Sequence, residues 1–343
     1  MGGGHVPAAE NKERYDRSPE DRYHRRIDYL RLSVTDRCNL RCTYCMPASG
    51  VPKLDHEEIL RYEEILRLVD ITARMGISKV RITGGEPLVR KDLAYLCRQI
   101  ARNPLIQDLS VTTNGVLLRH LGRKLFQAGV RRLNVSLDTL NAERYAAITR
   151  RDHFEDVWAG IQEAERIGFS PIKINMVVLR GVNDDEIEDM AALTYRFPYH
   201  VRFIEFMPFQ PDHYSERFLS SDEIVERLAG VDTLLPAEAD RGNGPARHYR
   251  FPSSRGKIGI ISPMSHHFCP TCNRLRLTAD GKLRTCLFAV EEQDIKGLLR
   301  SGASDEAVEA AIRAALQRKP KAHPLNEAVL RKCISRSMSS IGG

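Results

Sequence analysis

The apolar and polar positions change period along the chain, and each change marks an element. Residues 28–35 alternate, which predicts a strand. Residues 59–75 carry Ile65, Leu66, Val69 and Ala73 at helical spacing and stop at Gly76, which predicts a helix and its end. The exchange then repeats. Strands are predicted at 79–83, 108–113, 132–138, 172–178 and 201–206, and helices at 92–102, 117–128, 141–149, 154–167 and 184–196. Strands alternating with helices of about ten to fifteen residues imply βαβ units and a parallel sheet. Six such units are too few for an eight-stranded barrel, so the expected fold is α/β, a partial six-unit barrel of the TIM type. Past residue 209 the pattern changes. It reads as a helix at 221–229, a Gly/Pro/Arg-rich loop at 241–247, strands at 248–251 and 257–262, a hairpin over 274–287 turning at Asp280-Gly281, and helices at 292–300 and 304–318. The division expected is a loose leader at 1–26, the barrel at 27–220 and a C-terminal α+β region at 221–343.

Composition narrows the class. The chain has 343 residues, 28% charged and 42% hydrophobic, with no apolar run of roughly eighteen residues. Its N-terminus lacks an apolar stretch and carries Glu10, Glu13, Asp16, Glu20 and Asp21, which fits neither a secretory signal nor a transit peptide. A cytoplasmic protein with neither a membrane nor a nucleic-acid partner is expected. The net charge of +7 suits an anionic small substrate and suits weak nucleic-acid attraction equally.

The cysteines carry the chemistry. Cys38, Cys42 and Cys45 form C-x3-C-x2-C directly after the first strand. Thiolates bind soft metals, and three on one tight loop suit an iron–sulfur cluster with one iron left open. The alternative is a structural zinc site short of a ligand. Cys269, Cys272 and Cys286 form a second incomplete set, C-x2-C-x13-C. Two clusters, one composite site between domains, or a zinc site completed by His266 or His267 would each account for it. Cys97 and Cys333 stand alone and read as core or surface residues. Arg274 and Arg276 flank Leu275 on a predicted strand, so both guanidiniums share a face near the second set and suit phosphate oxygens. Gly84-Gly85-Glu86-Pro87 follows the second strand and permits close backbone approach to a ligand.

Together these motifs resemble the radical S-adenosylmethionine superfamily, through Cys38, Cys42, Cys45 and Gly84 to Pro87. The stretches 36–47, 81–87, 134–138, 202–205, 268–276 and the terminal Gly342-Gly343 narrow the resemblance to the GTP 3′,8-cyclases of molybdenum cofactor biosynthesis. The resemblance runs from about residue 27 to the end and leaves residues 1–26 unexplained. It implies two 4Fe–4S clusters, on Cys38, Cys42 and Cys45 and on Cys269, Cys272 and Cys286. It implies S-adenosylmethionine contacts at Tyr44, Gly85, Ser136 and Met207. It also implies GTP contacts at Arg31, Arg81, Thr112, Lys173, Arg274, Leu275 and Arg276. The open iron of the first cluster would hold S-adenosylmethionine, whose cleavage gives a 5′-deoxyadenosyl radical. That radical would abstract the ribose 3′ hydrogen of GTP, and the resulting carbon would add to C8 of guanine. The product would be (8S)-3′,8-cyclo-7,8-dihydroguanosine 5′-triphosphate, consumed by cyclic pyranopterin monophosphate synthase. A flavodoxin or ferredoxin would supply electrons, and a homodimer is allowed. The tail Gly342-Gly343 would enter the site. The rival readings are a radical peptide-modifying enzyme with an auxiliary cluster and a zinc-stapled nucleic-acid-binding protein.

Overall fold

A computed structural model describes residues 18–209, 214–239, 244–323, 336 and 338–342. The expectations for residues 1–17, Cys333 and Gly343 lie outside the described residues. Parallel strands β1 (Tyr29–Ser33), β2 (Lys79–Thr83), β3 (Asp108–Thr113), β4 (Arg132–Ser136), β5 (Ile172–Val178) and β6 (His200–Glu205) lie side by side in chain order. The helices between them are Tyr62–Arg74, Leu93–Arg102, Leu118–Gln127, Ala142–Thr149, Phe154–Ile167 and Ile187–Arg196. Each predicted strand and helix of this part is therefore present, with ends shifted by a few residues.

Side-chain alternation decides which face each strand buries. Leu30, Leu32, Val80, Ile82, Val111, Leu133, Val135, Ile174 and Val201 belong to the apolar core. The residues between them, including Arg31, Arg81, Thr112, Ser136, Lys173 and Arg202, line a cavity on the other face. One face of the sheet is oil and the other carries charge. The helix–strand joints follow turn chemistry. Gly129 ends the helix Leu118–Gln127 at a φ of +99°, and a Cβ there would sit 2.5 Å from Ala101 Cβ.

The C-terminal region is not a separate layer. Its strand β9 (Lys257–Ile261) pairs in parallel with β6, and β10 (Arg274–Leu277) pairs in parallel with β1. The parallel run is thus two strands longer than sequence periodicity indicated, because neither β9 nor β10 follows a crossover helix of the repeating kind. Antiparallel strands extend both sides: β7 (Leu235–Pro236) and β8 (Ala246–Arg250) beyond β9, and β11 (Lys282–Arg284) and β12 (Gln293–Asp294) beyond β10. The helices Ser221–Val231, Ile295–Arg300 and Asp305–Gln317 follow the predicted positions. Among the described residues, no helix is long and apolar enough to cross a membrane.

One expectation for the leader fails. Residues 18–26 are packed, not loose: Ser18 donates to the Gly76 carbonyl, Glu20 bridges Arg26, and Asp21 and Arg25 are buried. Their charges hid this, because a segment rich in Asp and Arg reads as solvated until its partners are known.

Candidate active site

The first cysteine loop leaves β1 and is pinned on several sides. Arg41 N–H and Thr43 N–H donate to the carbonyls of Thr149 and Ile148, at the end of the helix Ala142–Thr149. The Arg150 guanidinium donates to the Arg41 and Met46 carbonyls. Leu40 N–H approaches Cys38 Sγ at 3.4 Å, a donor suited to a thiolate. All three sulfurs are free of disulfides and line the cavity. Burial pushes the Cys38 thiol up to about 11 and pushes Cys42 well above its usual range. Both are protonated in the metal-free chain, so metal binding there releases protons. The donor set, the hydrogen bonds that back the loop and its position on the cavity wall fit a cluster that leaves one metal exposed.

Gly84 and Gly85 sit against this loop. Gly85 N–H donates to Thr35 O at 2.7 Å and Glu86 N–H donates to Arg37 O at 2.8 Å. A Cβ on Gly85 would lie 2.4 Å from Arg37 O, so the glycine is required by the crossing of two backbones. Glu86 is fully used inside the protein. Its carboxylate accepts from Thr113 Oγ1 at 2.7 Å, Leu88 N–H at 3.0 Å and Asn114 N–H at 2.6 Å. Burial raises it to about 7, with those three donors pulling against the rise. Its task is to hold the ends of β2 and β3, which sequence reasoning did not identify.

Tyr44, Gly85, Ser136 and Met207 all line the cavity. The Tyr44 hydroxyl donates to Asp138 Oδ2 at 2.7 Å, and Val177 N–H donates to Asp138 Oδ1 at 2.8 Å. Asp138 is buried, which raises it to about 6. It therefore fixes the tyrosine ring while bridging the β4 loop to β5.

The second set faces the same cavity. Cys269, Cys272 and Cys286 all line it, together with the first triplet. Burial disfavours the Cys272 thiolate, but Arg274 and Lys319 overcome it and bring the thiol down to about 6. Arg274 Nη2 stands 3.7 Å from Cys272 Sγ, with its guanidinium 4.6 Å above the Phe268 ring. His266 pairs with Asp222 instead of approaching the cysteines. The histidine that does approach is His323, whose Nδ1 is 3.1 Å from Cys269 Sγ. A lone histidine far along the chain gave no signal for this.

Between the two sets lies a row of cations. Arg276, Arg31 and Arg81 stand directly opposite one another on β10, β1 and β2. Neighbouring strands are about 4.8 Å apart, so three guanidiniums crowd one rung. Burial lowers Arg31 to about 9, with Arg81 and Arg274 adding to the fall. Burial lowers Arg276 well below its usual range, helped by Arg31 and Arg274. Lys173 and Thr112 line the wall further round, and the buried Thr112 Oγ1 has no hydrogen-bond partner. Leu275 differs from expectation: its side chain is in the core, because alternation on β10 turns it away from Arg274 and Arg276. Lys79 and Arg202 also line the cavity and were missed. Lys79 is two residues before Arg81 on the same strand face, so the register was a usable signal. The tail reaches this row. Arg276 Nη1 donates to the Gly342 carbonyl at 3.0 Å, and a Cβ on Gly342 would lie 2.8 Å from Thr83 Oγ1.

The cavity has a volume of about 350 Å³. It presents a thiol triplet at each of two places and a polycationic wall, an arrangement suited to holding a redox-active metal group beside a polyanion.

Comparison with known proteins agrees with this chemistry. The Radical SAM superfamily model matches residues 32–194, and the Molybdenum Cofactor Synthesis C model matches residues 199–325. The GTP 3′,8-cyclase of Moorella thermoacetica is 48% identical over 325 residues, covering 94% of this chain and 100% of that one. That of Thermodesulfovibrio yellowstonii is 48% identical over 327 residues, with the same coverage. Streptococcus suis SuiB bound to S-adenosylmethionine shares the fold, with a TM-score of 0.61 at 14% identity over 92% of this chain and 76% of that one. Membership of the radical S-adenosylmethionine superfamily implies S-adenosylmethionine and a 4Fe–4S cluster as cofactors. The chain belongs to the GTP 3′,8-cyclase family of that superfamily.

Proposed function

We propose that the protein converts GTP to (8S)-3′,8-cyclo-7,8-dihydroguanosine 5′-triphosphate, the first step of molybdenum cofactor biosynthesis. The observation that carries the reading is the single cavity lined by both cysteine triplets with the Arg276–Arg31–Arg81 row on its wall. The curated relatives support it, being GTP 3′,8-cyclases matched over their whole length.

In this reading the partial barrel holds one 4Fe–4S cluster on Cys38, Cys42 and Cys45 and a second on Cys269, Cys272 and Cys286. When bound, the first cluster and S-adenosylmethionine supply the radical chemistry that removes a hydrogen atom from the substrate ribose. The chain's own residues do the positioning. Gly84 and Gly85 bring backbone groups to the first loop, Glu86 holds the end of β3 beside Asn114, and Asp138 fixes the Tyr44 ring. Tyr44, Gly85, Ser136 and Met207 then surround S-adenosylmethionine. Arg31, Arg81, Arg276 and Lys173 neutralise the triphosphate, which relieves their mutual repulsion. Thr112 supplies its unpartnered hydroxyl to the same ligand. Arg274 stands between phosphate and the second triplet. A flavodoxin or ferredoxin as electron donor and cyclic pyranopterin monophosphate synthase as consumer complete the proposal, in the cytoplasm.

The deciding experiment is anaerobic incubation with S-adenosylmethionine, reductant and GTP. Both 5′-deoxyadenosine and a cyclised GTP product are expected. Deoxyadenosine without a GTP-derived product overturns the cyclase reading and leaves the superfamily assignment intact. Metal analysis should find about eight irons per chain with matching sulfide. Stoichiometric zinc in a colourless protein would overturn the cluster reading.

A further inference from the structure

The segment after the helix Asp305–Gln317 wraps the second cysteine triplet, and the N-terminal segment clamps it there. Lys319 is 2% exposed. Its ammonium donates to the Arg274 carbonyl at 2.9 Å and to the Thr285 carbonyl, and it stands 3.7 Å from Cys272 Sγ. Those carbonyls flank Cys272 and Cys286 in the chain. One buried cation therefore ties together the two arms that carry two of the three sulfurs. Four residues on, His323 meets the third, Cys269.

Arg25 secures this segment from the opposite end of the sequence. Its Nη1 donates to the Cys269 carbonyl at 2.8 Å and the Lys321 carbonyl at 3.0 Å, and its Nη2 donates to the Pro320 carbonyl at 2.7 Å. Asp21 Oδ2 accepts from Arg25 Nε at 2.6 Å and orients the guanidinium. A fork of this kind holds three carbonyls in fixed relation, which a lysine could not do.

We propose that Lys319 and Arg25 are positioning residues of the second triplet: Lys319 holds its sulfurs and sets the positive field around them, and Arg25 locks Lys319 in place. The proposal rests on the reading that this triplet holds an iron–sulfur cluster. It gives residues 18–26, which no sequence motif explained, a task at the substrate end of the cavity.

The test uses the full-length, anaerobically reconstituted protein carrying Cys38→Ser, Cys42→Ser and Cys45→Ser, so that only the second triplet can hold iron. Two quantities are read: the rate at which a chelator removes iron, and the midpoint potential by redox titration. In that background Lys319→Met should lose iron roughly 10- to 100-fold faster, the usual range for an outer-shell partner. Its potential should move to a more negative value, because a lost positive charge disfavours the added electron. Lys319→Arg should keep the potential near that of the background while still losing iron faster. Arg25→Ala should lose iron faster with a smaller change in potential, since Asp21 already balances its charge, and Arg25→Lys should fall between. Equal iron loss and equal potential in Lys319→Met overturn the proposal. A misfolded Lys319→Met leaves the decision to Arg25→Ala, whose unchanged iron loss overturns it equally. A background protein that holds no iron with Lys319 intact overturns the cluster reading itself, and the proposal with it.

Discussion

Replacing Gly85 by alanine should uncouple the first cysteine loop from the sheet. The added Cβ would lie 2.4 Å from the Arg37 carbonyl oxygen, 2.7 Å from Arg37 C and 2.8 Å from the Asp36 oxygen. All three are backbone atoms, so no side chain can swing aside. Ordinary contact begins at 3.4 Å, so the two backbones must part by about 1 Å. The displaced residues immediately precede Cys38, and two hydrogen bonds, Gly85 N–H to Thr35 O and Glu86 N–H to Arg37 O, lie across the parting. Overpacking of this kind costs about 1–3 kcal/mol, and a misplacement near 1 Å lowers turnover about 100-fold. The expected result is a folded protein with less iron at the first triplet, normal iron at the second and turnover down about 100-fold. Gly230→Ala is the control, since its Cβ meets nothing within 4 Å. The assay is site-resolved iron content together with 5′-deoxyadenosine formation. Normal first-triplet iron and normal turnover in Gly85→Ala would refute the argument that the glycine is required by crossing backbones.

Arg31→Ala or Arg276→Ala should weaken GTP binding by about 1.5–3 kcal/mol, read by anaerobic calorimetry, with both clusters retained. Unchanged affinity would remove the arginine row from the substrate site. Ile341 is 1% exposed in a small cluster with Phe209 and Phe288, so Ile341→Ala should release the tail at a cost of about 2–5 kcal/mol of docking energy. Limited proteolysis should then clip the C-terminus faster, and an unaltered clipping rate would count against a docked tail. Glu86 gives a pH dependence. Its folded value, about 7, lies above the 4.5 of an ordinary glutamate, so the folded state holds the proton more tightly. That stabilisation, roughly 3 kcal/mol, is present below pH 4.5 and lost as pH rises through about 7. In the iron-free chain, urea midpoints should fall across this window, and Glu86→Gln should flatten the fall; an identical slope in the variant would contradict it.

Much of this was legible because strand and helix periods are local. The β1 to β6 ladder and its helices followed from alternation alone, and the cysteine spacings marked both triplets. What was not legible depended on contacts between distant residues. No local signal told that β9 and β10 join the same sheet, since parallel pairing is written in register and not in period. The turn Gly84-Gly85-Glu86 gave no sign that Glu86 is buried with its oxygens taken by Thr113, Leu88 and Asn114, because those partners lie on other elements or are backbone groups. Gly85 lines the cavity, and the second demand on it, the close crossing of the Arg37 backbone, carries no local signal. Leu275 was carried along with its flanking arginines, and the strand face separated them. The segment 18–26 looked solvated because the carbonyls that satisfy Arg25 lie at the far end of the chain.

The pairing of β10 with β1 also governs when the site can exist. Arg31 stands on the first strand to be synthesised, and Arg276 on the tenth. While the chain is still being made, the first triplet can fold beside its glycine turn, but the arginine row is incomplete. A protein truncated before residue 274 would keep the first triplet, Arg31 and Arg81 but lack Arg274 and Arg276, the β10 end of the arginine row. It would also present β1 as an open edge, a template for aggregation. Completion of the substrate cradle is thereby tied to the synthesis of β10, which pairs beside β1 although β2 to β9 are all made between them.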